Sequence, residues 1–148
     1  MERDNAKNVC GLLFTTEDEP RVLLAKRFIN EQWVYDGLGG PLRPDARTDG
    51  PQCQLSELVY AETGILTRAH DWTEIVNLRG DTWEVTFFFA ATDSATQAHS
   101  QGTDKADDIS FENPNILPIN IIPTMKWLIP LALDDNVHKP LGIAGITL

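Results

Sequence analysis

The stretch GGPLRPDARTDGPQCQLSELVYAETGI, residues 39–65, joins a glycine-rich loop to a helix with start and stop signals. Apolar residues recur at helical spacing over Pro51–Thr63, with proline in the first turn and Gly64 as the terminator. Glycine adopts backbone conformations that other residues avoid, so a loop containing Gly39 and Gly40 can approach a ligand closely. The stretch therefore predicts a ligand-facing loop followed by a helix.

Apolar runs on both sides of this stretch predict a sheet and a second helix. The predicted strands are Val9–Phe14, Arg21–Ala25, Trp33–Tyr35, Thr73–Leu78 and Trp83–Ala91, and the second helix is Met125–Leu133. Val85–Ala90 is almost wholly apolar, which is typical of a strand near the middle of a sheet, whereas Thr92–Asp108 is polar and predicts an excursion. We predict an α/β fold with a mixed sheet between helices, in one domain spanning residues 1–148.

The composition limits the partners and the location of the protein. The chain has 148 residues and a formal net charge of −10. Proteins that bind nucleic-acid backbones concentrate Lys and Arg, so we expect no direct binding of that kind. No apolar run reaches the roughly 20 residues that span a bilayer, and residues 1–5 lack the apolar stretch of a signal peptide. We therefore expect a cytoplasmic protein with no membrane partner.

The central stretch resembles the motif of the Nudix (MutT-like) hydrolase superfamily. Gly39-Gly40 matches the opening of that motif, and Glu62-Thr63-Gly64-Ile65 matches its close. The resemblance implies a Nudix-type α/β/α sandwich. It also implies a hydrolase that cleaves a nucleoside diphosphate linked to another group, with Mg²⁺ or Mn²⁺ held by glutamates of the helix.

The motif is degenerate where the resemblance places the metal ligands. When Glu62 fixes the register, two of the family's glutamates fall on Leu58 and Ala61, and its arginine falls on Glu57. An apolar side chain offers a cation no electron pair. Glu62 and Glu57 are therefore the expected catalytic and metal-binding residues, with Glu57 as a substitute for a missing ligand. These two lie about 140° apart around a helix, so joint coordination needs a shifted register or a bridging water.

Acids elsewhere in the chain are candidates to replace the missing carboxylates. Ala46 stands at the family's early glutamate, and Asp45 lies beside it. Some Nudix proteins take an acid from a later loop, and residues 104–112 are where such a residue would lie here. The candidates are Asp104, Asp107, Asp108 and Glu112.

The remaining candidates concern ligand binding rather than chemistry. Gly39 and Gly40 are expected to face the ligand, although both suit a turn without a ligand equally well. Arg43 can hold phosphates by charge-assisted hydrogen bonds, as can Arg27, and surface solvation is the alternative for both. Trp33 can stack on a base, and core packing is the alternative.

Two functional hypotheses follow from the sequence. The first is a divergent Nudix pyrophosphohydrolase whose catalysis is weakened by Leu58 and Ala61. The second is a catalytically inactive Nudix-fold module that binds a nucleotide or a protein partner. A structural subunit without a ligand ranks third. The apolar tail Leu141–Leu148 is expected to dock on the core or on a second subunit, so a homodimer is one arrangement it allows.

Overall fold

The computed structural model describes residues 6–43, 50–93 and 108–141. In chain order, its elements are β1 (Ala6–Thr15), β2 (Val22–Ile29), β3 (Gln32–Asp36), β4 (Leu38–Pro41), α1 (Pro51–Thr63), β5 (Thr73–Arg79), β6 (Trp83–Thr92), β7 (Asp108–Glu112) and α2 (Pro123–Leu133). A short 3-10 turn, Ala69–Asp71, precedes β5.

The strands form one mixed sheet. Along its main path the order is β3-β2-β1-β6-β5, while β4 pairs with β1 and β7 pairs with β2. The β1 and β6 strands run parallel from the Ala6↔Trp83 pair to the Thr15↔Thr92 pair. The other strand pairs are antiparallel. The β6 strand therefore lies between two neighbours, as its apolar sequence predicted.

The two helices cover opposite faces of the sheet. Side chains alternate across a strand, and β1 divides its apolar residues accordingly. Leu12 and Phe14 join the cluster that contains the buried residues of α2. Val9 and Leu13 join the cluster that contains the buried residues of α1. This arrangement confirms the predicted α/β/α sandwich.

The first helix begins and ends where its sequence signals stand. Gly50 is the N-cap, and Pro51 occupies the first turn, where a missing N–H removes no helical hydrogen bond. Gly64 ends the helix at φ 77°, the left-handed conformation that glycine adopts readily, and its N–H donates to the Tyr60 carbonyl at 2.8 Å.

Strand pairing differs from the sequence prediction at β4 and β7. Residues 39 and 40 were predicted as loop, but they lie in β4, which pairs with Asn8–Gly11 of β1. The strand predicted at Arg21–Ala25 corresponds to β2, which pairs with β1 only at Leu13↔Leu23 and Phe14↔Val22. The β7 strand begins at Asp108, the last residue of the predicted polar excursion, whereas residues 94–107 lie outside the described residues.

Only the start of the apolar tail falls within the described residues. The Leu141 N–H donates to the Ile75 carbonyl of β5 at 2.7 Å, and its side chain packs against the α2-side core. Residues 142–148 lie outside the described part, so the expected second subunit stays a prediction.

Candidate functional site

Glu62 is buried at the end of α1, with both carboxylate oxygens bonded inside the protein. Its Oε2 accepts a hydrogen bond from Arg27 Nη2 at 2.9 Å, and its Oε1 accepts one from the Gly39 N–H at 2.9 Å. The side chain of Glu62 is 0% exposed. We call this arrangement the Arg27–Glu62 tether; it fastens α1 to β2 and β4.

Arg27 supplies the positive charge of the tether. Its side chain, on β2, is 14% exposed, and its Nη2 also donates to the Gly37 carbonyl at 3.1 Å. Its Nε lies 4.0 Å from Asp36 Oδ2. A buried carboxylate requires a nearby countercharge, and the guanidinium supplies it for Glu62. Arg27, which the sequence suggested as a phosphate ligand, is thus held by internal partners.

Gly39 occupies a position that no other residue suits. Its φ is +122°, and a Cβ built there would collide with the Val9 carbonyl oxygen. The close approach of β4 to β1 therefore depends on this glycine. The same backbone geometry directs its N–H to Glu62, which links the glycine-rich segment directly to the helix.

A cavity of about 410 Å³, here the main cavity, opens between the sheet and the start of α2. Its lining includes the apolar side chains Val85, Phe87, Ile122 and Met125. Its polar and charged lining residues are Asn8, Arg27, Asp36 and Thr124. Gly39, Gly40 and Pro41 complete one edge. The cavity thus combines an apolar wall with a few polar groups, as small-molecule sites commonly do.

Two groups in the main cavity have raised pKa values. Burial raises the pKa of Asp36 above its ordinary 3.8, and the Arg27 guanidinium and the Gly37 N–H, at 2.7 Å, offset part of that effect. Burial also raises the pKa of the Cys10 thiol well above its ordinary value, and the Asp36 charge adds to the effect. Cys10 is therefore a poor source of reactive thiolate.

A second cleft, of about 300 Å³, lies beside α1 and is lined by Pro41, Arg43, Gln54, Glu57 and Leu58. Arg43 Nη2 bonds to Glu57 Oε2 at 2.8 Å, but both side chains are more than half exposed. Ion pairs at such positions contribute little, so Arg43 can exchange partners readily. Pro41 lines both this cleft and the main cavity.

The structure does not bring Glu57 and Glu62 together. Glu57 pairs with Arg43 on the surface, whereas Glu62 is enclosed by the tether. Leu58 and Ala61 offer no side-chain oxygen at the two positions where the resemblance places metal ligands. Within residues 6–43, 50–93 and 108–141, no cluster of three or more His, Cys, Asp or Glu side chains could hold a metal ion.

Of the acids predicted to replace the missing carboxylates, some belong to β7 and the others lie outside the described residues. Asp45 and Ala46 lie outside the described residues, as do Asp104 and Asp107. Asp108 begins β7, and Glu112 ends it rather than lying in a loop. Glu112 Oε1 accepts a hydrogen bond from Ser110 Oγ at 2.9 Å.

Trp33 lies on β3, at the edge of the sheet, and is 42% exposed. Its ring centroid is 5.0 Å from that of Phe28, and the Lys26 ammonium lies 5.2 Å from the ring centroid. It is absent from the lining of the main cavity.

Asp36 lines the main cavity, but the sequence did not predict it as a site residue. The only sequence feature that pointed to it is its position as an acid directly before the glycine-rich segment.

Comparison with solved structures places this architecture in a known fold. The NUDIX domain of Shewanella oneidensis NrtR, solved with ADP ribose, matches with a TM-score of 0.72 at 13% identity, covering 89% of this chain and 88% of that one. A MutT NUDIX hydrolase from Burkholderia pseudomallei matches with a TM-score of 0.64 at 17% identity, covering 84% and 97%. A NUDIX-family hydrolase from Clostridium perfringens matches with a TM-score of 0.64 at 12% identity, covering 88% and 99%.

These likenesses show that the chain has the Nudix fold, which confirms the resemblance found in the sequence. No protein-family model and no curated protein sequence matches the chain. Among the described residues, no helix is long and apolar enough to cross a membrane.

Proposed function

We propose that the protein is a Nudix-fold binding module for a nucleotide-type ligand, a nucleoside diphosphate linked to another group, and that Glu62 does not serve metal-dependent hydrolysis. The observation that carries this proposal is the Arg27–Glu62 tether. Both oxygens of Glu62 have partners at 2.9 Å. The side chain is closed to solvent.

A metal ion at Glu62 would have to reach a side chain that is closed to solvent, and it would meet the positive charge of the Arg27 guanidinium, so binding there requires that the tether open. Separating a buried ion pair costs about 3–5 kcal/mol because an uncompensated charge is left behind. Metal-assisted hydrolysis needs a cation that contacts the diphosphate and activates water. With Leu58 and Ala61 in place of further carboxylates, the helix offers little to offset that cost.

The main cavity supports ligand binding. Its volume of about 410 Å³ falls within the roughly 300–1,000 Å³ common for small-molecule sites. The Nudix domain from Shewanella oneidensis was solved with ADP ribose, a ligand of the proposed class. At the edge of the cavity, Gly40 and Pro41 lead to Arg43, which can exchange Glu57 for a phosphate.

The first test measures binding and turnover together. Wild-type protein is incubated with ADP-ribose, GDP-mannose and UDP-glucose, with Mg²⁺, with Mn²⁺ and with EDTA. Thermal unfolding and product formation are then followed. We expect at least one compound to raise the melting temperature in EDTA, because ligand binding to the folded state stabilises it, and we expect no turnover.

The divergent hydrolase is the competing outcome. Glu62→Gln and Glu57→Gln are measured alongside the wild type, and their melting curves show whether each variant is folded. Metal-dependent turnover that is lost in folded Glu62→Gln but kept in Glu57→Gln would establish a hydrolase and overturn the proposal.

A further inference from the structure

The charges of the main cavity determine which end of a nucleotide it accepts. Among its lining residues that the structure describes, the one basic side chain is Arg27. Its guanidinium already contacts Glu62, Asp36 and the Gly37 carbonyl. Two carboxylates, Asp36 in the lining and Glu62 outside it, therefore stand against one guanidinium, in a chain whose net charge is −10. A phosphate placed inside would be repelled, so the ring end of the ligand enters.

Asp36 offers a hydrogen-bond acceptor to that ring. Its Oδ1 accepts the Gly37 N–H at 2.7 Å, while its Oδ2 lies 4.0 Å from Arg27 Nε, beyond hydrogen-bond length. An ionised carboxylate has about four lone-pair directions, so capacity remains for donors from a ligand. Phe87 and Met125 supply apolar surface for the faces of a ring.

A carboxylate favours a ring edge that presents two adjacent donors. Among the common bases, guanine has such an edge, formed by its ring N1–H and its exocyclic amino group. Adenine and cytosine place an acceptor beside the amino group, and uracil has acceptors on both sides of its N–H. Guanine also carries a carbonyl oxygen, which the amide of Asn8, another lining residue, can meet as a donor.

On these grounds we propose that Asp36 is a specificity-determining residue that selects a guanine ring in the main cavity and leaves the phosphates outside. The inference rests on the proposed function. It adds the identity of the ring and the orientation of the ligand.

The test uses nucleosides, so that no phosphate contributes. Guanosine, inosine and adenosine are titrated calorimetrically into wild-type protein. Inosine lacks only the exocyclic amino group of guanosine. Losing a hydrogen bond to a charged acceptor weakens binding about tenfold or more, so we expect guanosine to bind at least tenfold more tightly than inosine.

Two variants connect this preference to Asp36. In Asp36→Asn, the amide replaces one acceptor with a donor, and we expect the guanosine preference to disappear. The matched control Asp18→Asn changes an exposed acid in the β1–β2 connection and should keep the preference. The wild-type comparison of guanosine with inosine does not depend on how either variant folds.

The outcomes separate the two proposals. If ADP-ribose or adenosine binds but guanosine binds no more tightly than inosine, the guanine inference is wrong and the binding module stands. If folded Asp36→Asn keeps the preference, Asp36 is not its source. If no nucleoside or nucleoside diphosphate sugar binds, both proposals fail.

Discussion

Asp36 is the residue at which burial and a neighbouring cation act in opposite directions. Burial raises its pKa, while Arg27 and the Gly37 N–H lower it, and the net change is upward from 3.8. Among the described residues, Asp36 raises the pKa of the Cys10 thiol on β1, and it shares the Arg27 guanidinium with Glu62 on α1. Ionisation of Asp36 is therefore less favourable in the folded chain than in the unfolded chain.

This raised pKa gives a pH dependence of definite sign. The stability that protonated Asp36 contributes is fully present below pH 3.8 and is lost as pH rises through the folded-state pKa. We expect the unfolding free energy of the wild type, relative to Asp36→Asn, to fall over this window. The fall is about 1.4 kcal/mol for each unit by which the folded-state pKa exceeds the unfolded one.

Urea unfolding of both proteins from about pH 4 to pH 7 measures this difference. Asp18→Asn serves as the control, since Asp18 is exposed on the β1–β2 connection. A difference that stays constant, or that grows with pH in favour of the wild type, would show that Asp36 does not have a raised pKa.

At the scale of elements, the side-chain bonds of the tether connect one helix and two strands that are not paired with each other in the sheet. Arg27 belongs to β2, Glu62 to α1 and Gly39 to β4. The exposed Arg43–Glu57 pair involves the same residue types without that burial. The two pairs therefore allow buried and exposed ion pairs to be compared within one molecule.

We expect Arg27→Met to lower the unfolding free energy by about 3–5 kcal/mol, because Glu62 is left buried without its countercharge. Arg43→Met should cost about 1 kcal/mol or less, since its pair is exposed to solvent. Urea unfolding at neutral pH measures both. Equal losses in the two variants would remove the basis for treating Glu62 as a structural group.

The elements that the sequence predicts well are those with local signals. Proline in the first turn and Gly64 at the end define α1, and the apolar run Val85–Ala90 defines the middle of β6. The strands β4 and β7 were missed because their pairing depends on distant partners, β1 and β2. Glycines at residues 39 and 40 favoured a loop by composition, whereas pairing with β1 makes them a strand.

The candidate site shows the same limit. The motif pointed to Glu62, but its partner Arg27 lies 35 residues earlier, and no local pattern joins them. Asp36 belongs to the site because β3 and β4 place it in the lining of the main cavity. The metal-binding roles of Glu62 and Glu57 stay predictions of the sequence, and the binding of a nucleotide stays a proposal.

At the scale of the whole molecule, the fold matches that of Nudix structures, whereas the motif lacks two of the family's glutamates. The sheet and the two covering helices are those of a Nudix fold. Yet the one motif glutamate that α1 retains at its own position is bonded to Arg27 and Gly39. A fold alone does not determine an activity, so the activity depends on the residues of the site. Here the site favours binding through the main cavity.

The most direct measurement is calorimetric titration of GDP-mannose into the wild-type protein, once in EDTA and once in Mg²⁺, with product formation followed in parallel. We predict the same dissociation constant in both solutions and no product. Binding that appears only with Mg²⁺, together with hydrolysis that Glu62→Gln abolishes, would contradict this prediction.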